Sequence, residues 1–379
     1  MKRNPNFDNL PKNYLFQKMQ EYERELNLSI GDTTHPLPQE VVEAMAQKAL
    51  SLATDKYTGY GCGQGDLQLR RALAKKYNIE PDEVFISDGA KCDLGRLQLL
   101  FGRNVTIAVQ DPAYPVYIDT SALVGQQKVI KLPCTFENGF FPELQKADIF
   151  YFCSPHNPTG YAATHDELER LVHFAKKHKA LIVYDSAYAD FIQDDRPRSI
   201  FEIEGADEVA IEVGSFSKSA GFAGVRLGWS VIPKKLTYED GRPLHPDWLR
   251  IISTFFNAAS NIAQAGGLAA LNAPSAIPYY QENARLLKEA LSVPHVGGDN
   301  SPYIWAFFGD RTFEDVLEKT GVLGVPGAGF GPSGKGFLRF SALAKRETVE
   351  EAARRLHEYC RTYCRFEENT RALASELLT

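Results

Sequence analysis

Short apolar segments alternate with amphipathic ones between residues 84 and 213 of the 379-residue chain. Each apolar segment has the length and composition of a buried β-strand. They cover residues 84–87, 105–109, 128–132, 149–153, 181–184 and 209–213. Helices are predicted between them, for example over residues 166–177. Strands that alternate with helices in this way predict an α/β fold, with a mostly parallel sheet between layers of helices.

The two ends of the chain show different patterns and predict two further parts. Residues 277–291, 312–320 and 346–363 predict helices, and residues 303–308 and 336–341 predict strands, which indicates a smaller α+β domain. The first residues combine prolines, one short amphipathic segment and a predicted strand over residues 28–31, as in an arm that packs on another surface. We therefore expect an N-terminal arm (1–35), a large domain (36–275) and a small domain (276–379).

Composition and charge exclude several classes of partner. The formal net charge of -6 disfavours binding to nucleic acid or to an anionic membrane surface. No apolar run reaches the length of a membrane span, and the first residues lack the apolar core of a signal peptide. The six cysteines are scattered, which suits reduced thiols. We therefore expect a cytoplasmic protein that acts on small molecules.

The predicted C-terminal helix carries three residues of types that can bind a metal ion. His357, Cys360 and Cys364 fall on one face of that predicted helix. Three soft ligands on one helix, without a second cluster elsewhere in the sequence, are more typical of a partly buried face than of a zinc site. We expect no metal.

Polar residues follow several of the predicted strands. They lie in the stretch 88–91, with Ala90 and Lys91, after the strand 84–87, at Tyr114 after the strand 105–109, and in the stretches 154–160, 185–188 and 215–218 after later strands. In a parallel sheet, ligands bind beyond the carboxyl ends of the strands. The turn before Lys91 also leads into a helix N-terminus, which attracts anions. The sequence therefore predicts one ligand site at this edge of the sheet.

The stretch VGSFSKSAGFAGVRLGW, residues 213–229, suggests what that ligand is. A lysine in a tight, partly dry turn, such as Lys218, can lose its proton and form an imine with an aldehyde. Ser215, Ser217 and Arg226 can hold a phosphate beside it. These parts together describe a seat for pyridoxal 5'-phosphate, and the alternative is a surface turn with an ordinary solvated lysine.

Other strand ends supply the remaining parts of such a seat. The cofactor's pyridine nitrogen needs a buried carboxylate, and Asp185 ends a predicted strand, although an aspartate there can also cap a turn. The phenolic oxygen needs hydrogen-bond donors, which Asn157 and Tyr188 offer. Tyr114 can stack on the ring.

Four motifs, SPHNPTG, YDSAY, SFSKSAGFAGVRLGW and FLRFS, occur in this order and resemble those of the fold type I, class I/II aminotransferases. The resemblance covers nearly the whole chain. It implies Lys218, Asp185 and Tyr114 as catalytic residues, with Lys218 as Schiff-base lysine and proton shuttle, and Arg339 as the clamp for the substrate α-carboxylate. The implied cofactor contacts are Tyr60 of a neighbouring subunit, Ala90, Lys91, Tyr114, Asn157, Asp185, Tyr188, Ser215, Ser217, Lys218 and Arg226.

Within this family the chain most resembles the LL-diaminopimelate aminotransferases. The resemblance rests on three segments: NLSIGDTTHPLP near the N-terminus, SDGAK, which has a lysine where many relatives have none, and FNAAS around residue 257. It implies transamination of LL-2,6-diaminopimelate with 2-oxoglutarate by a homodimer whose N-terminal arm covers the neighbouring subunit. The implied substrate contacts are Tyr14, Gly31, Lys91, Tyr114, Asn157, Asn257 and Arg339. His156 and shortened loops near residues 60–91 and 310 depart from the pattern.

Three other functions remain open at this point. The first is an aminotransferase for aspartate, aromatic or other amino acids, or a pyridoxal-dependent C–S lyase. The second is a P-loop hydrolase, suggested by GFGPSGK at residues 329–335, but Gly336 replaces the required Ser or Thr and a strand is predicted to follow. The third is a non-catalytic pyridoxal-binding regulator, which the acidic charge disfavours.

Overall fold

A computed structural model describes residues 1–11, 15–22, 25–54, 59–126 and 128–364. The strands among them are β1 (Leu26–Asn27), β2 (Val84–Ser87), β3 (Thr106–Asp111), β4 (Lys128–Pro133), β5 (Ile149–Cys153), β6 (Leu181–Asp185), β7 (Ala210–Ser215), β8 (Gly228–Val231), β9 (His295–Gly297), β10 (Tyr303–Phe307), β11 (Val322–Leu323), β12 (Val325–Pro326) and β13 (Phe337–Ser341). The α-helices are α1 (Leu15–Met19), α2 (Gln39–Ser51), α3 (Leu67–Tyr77), α4 (Ala90–Leu97), α5 (Val116–Leu123), α6 (His165–His178), α7 (Phe216–Ser219), α8 (His245–Phe255), α9 (Asn261–Ala270), α10 (Ile277–Ala290), α11 (Phe313–Thr320) and α12 (Arg346–Tyr363). None of these helices combines the length and the apolar character that a membrane crossing requires.

The predicted α/β fold is confirmed. Within the described residues, seven strands form one sheet in the order β2-β8-β7-β6-β5-β3-β4. All of its pairings are parallel except those of β8, which runs antiparallel to both β2 and β7. The sequence prediction missed β8, whose first two residues close the stretch that we assigned to the lysine turn. The connection between β7 and β8 holds only the four-residue helix α7, and β8 returns beside β7 in the opposite direction.

Both faces of the inner strands of this sheet are buried, which explains why β5 and β6 are almost entirely apolar. Along β5, Tyr151 packs in a cluster with Trp248 of α8, while Phe150 packs on the other face with Leu168 of α6. Successive side chains of a strand point to opposite faces, so each strand contributes to two cores. The sheet is therefore rigid, and its carboxyl edge is a fixed base for a site.

A second, antiparallel sheet has the order β12-β13-β10-β9. Two of its strands, β10 and β13, were predicted, whereas β9 and β12 are only three and two residues long and carry no readable alternation. Trp305 pairs with Arg339, and Tyr303 pairs with Ser341. Because these pairs are two residues apart, Tyr303 and Arg339 share one face of the sheet.

The arm folds differently from the prediction of a strand over residues 28–31, which was wrong in its position. The strand is β1, which pairs in parallel with β11 of the C-terminal part. After Leu28, whose amide donates to the Leu323 carbonyl at 2.9 Å, Ser29 turns back to bond with the Asn27 side chain. Residues 30–38 consequently do not continue the strand, and the carbonyl of Gly31 lies next to Lys218.

The P-loop-like stretch 329–335 binds a carboxylate of the chain itself. The amide and the hydroxyl of Ser333 donate to Asp111 Oδ2 at 3.2 and 2.8 Å. Gly331 has φ +145°, and a Cβ there would overlap Asp111 Oδ1. The predicted strand, β13, follows this stretch instead of a helix. The glycines therefore serve the packing of this loop on the end of β3.

A buried acid couples the stability of this fold to pH. Glu212 of β7 is 0% exposed. Its Oε2 accepts hydrogen bonds from Ser199 Oγ at 2.6 Å and from the Ile200 amide at 3.1 Å, while Oε1 has no partner among the described residues. Burial raises its pKa from 4.5 to about 7, against the hydrogen bond from Ser199.

We expect Glu212→Gln to change the pH dependence of unfolding. Because the folded pKa is the higher one, the contribution of Glu212 to stability is fully present below pH 4.5 and is lost as pH rises to about 7. The unfolding free energy of the variant, relative to the unaltered protein, should therefore rise between pH 4.5 and pH 8, by up to about 3 kcal/mol. Urea unfolding at several pH values measures this, and Glu350→Gln, on the exposed face of α12, is the control. A constant difference across this range would contradict the assignment.

Candidate active site

A cavity of about 820 Å³ opens at the carboxyl ends of the parallel strands, between the large sheet, the four-stranded sheet and helix α1. Most of the residues that the sequence marked as a site meet there. Those that line it are Gly31, Ala90, Lys91, Tyr114, Asn157, Asp185, Tyr188, Ser215, Ser217, Lys218, Arg226 and Arg339. The strand ends of β2, β3, β5, β6 and β7 therefore converge as the parallel topology requires.

Lys218 lies in the short helix α7, directly after β7. Ser215 caps this helix, since its Oγ accepts a hydrogen bond from the Ser217 amide at 3.0 Å. The Lys218 ammonium donates to the carbonyl oxygen of Gly31. Burial lowers its pKa to about 8, and the nearby cations Arg226, Arg339 and Lys91 act in the same direction, while Asp32 opposes them. A large share of Lys218 is therefore a neutral amine near pH 8, which is the form that attacks carbonyl groups or accepts protons.

Asp185 is the last residue of β6 and is almost completely buried. Its Oδ2 accepts a hydrogen bond from the Tyr117 hydroxyl at 2.7 Å, and its Oδ1 accepts one from the Ala187 amide at 3.1 Å. Burial raises the pKa of Asp185, and these two hydrogen bonds oppose the increase. The arrangement provides one buried carboxylate that is held in a fixed position and suits a cationic nitrogen in the cavity.

Arg339 lies on the opposite wall and is 1% exposed. Its Nη1 donates to Asn157 Oδ1 and its Nη2 to the Ser29 carbonyl, both at 2.7 Å. Aromatic rings surround the guanidinium, with the ring centres of Tyr303 and Phe330 at 4.4 and 5.0 Å. This dry, oriented fork matches a carboxylate. Because Asn157 Oδ1 accepts from Arg339, the amide nitrogen of Asn157 remains to donate into the cavity.

The N-terminus of α4 lies at the same edge, next to two cations. Gly89 has φ +118°, and a Cβ there would come within 2.6 Å of Arg226 Nη2, so the glycine allows this guanidinium to approach Ala90. Burial lowers the pKa of Lys91, and Arg226 adds to the decrease. Two cations beside a helix N-terminus are an arrangement that attracts anions.

Comparison with known proteins decides the family. The family described as aminotransferase class I and II matches residues 23–356. The chain belongs to the class I and II aminotransferases. It is 49% identical to an LL-diaminopimelate aminotransferase of Protochlamydia amoebophila, over 94% of this chain and 97% of that protein. It is also 49% identical to a chloroplastic LL-diaminopimelate aminotransferase of Arabidopsis thaliana, over 94% and 86% of the two chains.

A solved structure supports the fold of this aminotransferase. L,L-diaminopimelate aminotransferase from Chlamydomonas reinhardtii matches with a TM-score of 0.89 and 45% identity, over 94% of this chain and 98% of that one. The alignment with the Protochlamydia protein spans 398 positions, more than the 379 residues of this chain, so this aminotransferase lacks some residues that its relative has.

Within the described residues, two of the predicted site residues, Tyr60 and Asn257, do not line the cavity. Tyr60 is 76% exposed. Tyr60 belongs to the glycine-rich loop 59–65, and Asn257 lies beside this loop, since a Cβ at Gly63 would be 3.1 Å from the Asn257 carbonyl oxygen. Tyr60 and Asn257 therefore belong to one surface region outside the cavity of their own chain. Tyr14 lies outside the described residues.

The structure adds four residues that the sequence reasoning missed. Phe16, Asp32 and Tyr303 line the cavity of the aminotransferase, and Tyr117 holds Asp185 from behind. Of these, only Tyr117 carries a sequence signal, because it follows Tyr114 at helical spacing. His156, the departure noted in SPHNPTG, is buried, and its Nδ1 pairs with Thr159 Oγ1 at 2.8 Å. Burial lowers its pKa to about 3, so the ring is a neutral part of the loop.

We expect Lys218 to react with an aldehyde in preference to exposed lysines. Its pKa of about 8 means that about half of Lys218 is neutral at pH 8 and that its neutral fraction levels off above about pH 9, whereas a lysine with the ordinary pKa is less than about 1% neutral at pH 8 and its neutral fraction still rises tenfold per pH unit there. Reductive trapping with benzaldehyde and a hydride reagent, followed by peptide mass spectrometry, measures the labelled fraction at each pH. Exposed Lys177 is the internal reference, and a Lys218 profile that matches it would contradict this prediction.

Proposed function

We propose that this aminotransferase transfers an amino group from LL-2,6-diaminopimelate to 2-oxoglutarate, giving tetrahydrodipicolinate and glutamate in lysine biosynthesis. The main support for this proposal is the 49% identity to LL-diaminopimelate aminotransferases over nearly the full chain. The site supports it, since Arg339, Lys218 and Asp185 provide a carboxylate clamp, a reactive amine and a buried anion in one cavity.

The cofactor in this proposal is pyridoxal 5'-phosphate, and the donor set of the cavity fits it. Lys218 is an amine with a lowered pKa, Asp185 is a buried carboxylate, and cations converge at the N-terminus of α4. When bound, this cofactor supplies an aldehyde and an electron-withdrawing ring. The residues that would hold it are Ala90, Lys91, Tyr114, Asn157, Asp185, Tyr188, Ser215, Ser217, Lys218 and Arg226, with Tyr60 from a second subunit.

The residues of the chain divide the remaining work. Arg339 binds the α-carboxylate through the N–H groups that Asn157 and Ser29 leave free. Neutral Lys218 Nζ then takes the proton from the α-carbon and returns it, because its lowered pKa allows both directions near neutral pH. The rings around Arg339 exclude water, which strengthens the clamp. Further substrate contacts are assigned to Tyr14, Gly31, Lys91, Tyr114, Asn157 and Asn257.

The proposal includes a cytoplasmic homodimer in which Tyr60 reaches the cofactor phosphate of the partner. The exposed hydroxyl of Tyr60 and the neighbouring Asn257 support this, because their own cavity does not use them. Large apolar side chains are exposed at the end of α2, which precedes this loop, and at the end of α8, which precedes Asn257: Leu50 is 73% and Phe255 63% exposed. A second copy that covers this region would bury them.

The activity is tested with the purified enzyme in an assay that detects tetrahydrodipicolinate formed from LL-diaminopimelate and 2-oxoglutarate. We expect turnover in the unaltered enzyme and in Lys177→Ala, and at least a 10⁴-fold lower kcat in Lys218→Ala, because one group acts as both nucleophile and proton carrier. A donor screen accompanies the assay. Strong activity with aspartate or aromatic donors and none with LL-diaminopimelate would refute the substrate assignment.

The role of Tyr60 across subunits is tested by mixing two damaged enzymes. Lys218→Ala and Tyr60→Ala are unfolded together and refolded, so that about half of the dimers contain one chain of each kind. Each mixed dimer has one intact site, made from Lys218 of one chain and Tyr60 of the other. We expect roughly a quarter of full activity from the mixture, above that of Tyr60→Ala alone. Activity no higher than the mean of the two variants would mean that Tyr60 serves its own subunit.

A further inference from the structure

The hydroxyl groups of Tyr188 and Tyr303 form a buried pair at the wall of the cavity. Their oxygens lie 2.8 Å apart, and the two rings meet edge to face with centroids 5.1 Å apart. Tyr188 follows β6 of the large sheet, whereas Tyr303 begins β10 of the four-stranded sheet. The pair therefore joins the two sheets directly beside the site.

The distribution of hydrogens decides which hydroxyl donates. Each hydroxyl carries one hydrogen, and the pair forms a single hydrogen bond. If Tyr188 donated, the Tyr303 hydrogen would need another acceptor, and the part of the chain that the structure describes offers the Tyr303 oxygen no partner besides Tyr188. Tyr303 is 1% exposed, so that hydrogen would lose its hydration without compensation.

Two close neighbours of Tyr303 leave little room for any other acceptor. The Arg339 guanidinium lies over its ring at 4.4 Å, and a guanidinium only donates hydrogen bonds. On the other side the backbone of Gly31 is so close that a Cβ there would overlap the Tyr303 oxygen. The 2.8 Å contact fits either donor, but Tyr188 is the more exposed of the two residues, at 7% against 1%, so the arrangement that gives both hydrogens an outlet has Tyr303 donating to Tyr188 and the Tyr188 hydrogen facing the cavity.

We propose that Tyr303 is a positioning residue that donates to the Tyr188 oxygen and thereby directs the Tyr188 hydrogen toward an anionic oxygen of the bound ligand. The inference rests on the proposed function, in which this oxygen is the phenolic oxygen of pyridoxal phosphate. A hydroxyl that accepts one hydrogen bond donates a stronger second one, because the chain polarises. Tyr303 thus stabilises negative charge on the ligand without touching that charge.

The bound cofactor reports this effect through its absorbance. The negative charge on the phenolic oxygen influences the pH at which the neighbouring Lys218 nitrogen loses its proton. If hydrogen bonds stabilise this charge less, the proton is harder to remove. The pH midpoint of the absorbance change should therefore move upward when the Tyr303 hydroxyl is lost.

The test compares Tyr303→Phe with Tyr280→Phe in the holoenzyme. Tyr280 belongs to the same apolar cluster and is also 1% exposed. Its hydroxyl accepts from the amides of Thr34 and His35 at 2.8 Å, so its loss is a comparable structural defect away from the ligand. We expect an upward shift of ~0.5 pH unit in Tyr303→Phe and none in Tyr280→Phe, although both variants unfold at lower temperature.

A double-mutant cycle separates this role from a general disturbance. Tyr188→Phe should shift the midpoint further than Tyr303→Phe, and adding Tyr303→Phe to it should cause no additional shift, because the donor that Tyr303 orients is already gone. An unchanged midpoint in Tyr303→Phe, or an equal shift with and without the Tyr188 hydroxyl, would overturn the inference. A protein that takes up no pyridoxal phosphate at all would overturn the proposed function instead, so the two failures are distinct.

Discussion

The buried guanidinium of Arg339 ties together three parts of the chain. It extends from β13 and donates to Asn157 after β5 and to the carbonyl of Ser29 in the N-terminal arm. Burying a charge without its partner costs on the order of 3–5 kcal/mol. The fold therefore requires these contacts. The arm and the two sheets must therefore be in place before this charge is accommodated, and the site exists only in the assembled fold.

The same crowding of cations explains the chemistry of the cavity. Arg226, Arg339 and Lys91 all lower the pKa of Lys218, next to the larger effect of burial. A cavity with this excess of positive charge favours ligands with several anionic groups, such as a phosphate ester and a dicarboxylic acid. The cations that favour the neutral form of Lys218 are thus the same cations that favour anionic ligands.

The sequence located the parallel sheet and most of the cavity because each of these features is local. Lys218, Asp185 and Asn157 follow apolar strands, and the rule that ligands bind at the carboxyl ends of such strands brings them together without any further information. Tyr303 and the short strands β9 and β12 could not be found in this way, because their positions depend on contacts between distant segments. β8 was missed for a different reason: its first two residues were already assigned to a functional turn.

The residues that sequence motifs reveal are those with atoms facing the ligand, yet the structure shows that each is oriented by a neighbour behind it. Tyr117 donates to Asp185, and Arg339 donates to Asn157 Oδ1, which leaves the amide nitrogen of Asn157 for the cavity. The pairing of Tyr303 with Tyr188 follows the same logic for a hydroxyl. These contacts hold the acceptor and donor groups of the cavity in place before a ligand arrives, so that binding requires little reorganisation. Tyr117 supports Asp185 without lining the cavity, and a substitution there should therefore alter charge stabilisation at the site while leaving the ligand contacts in place.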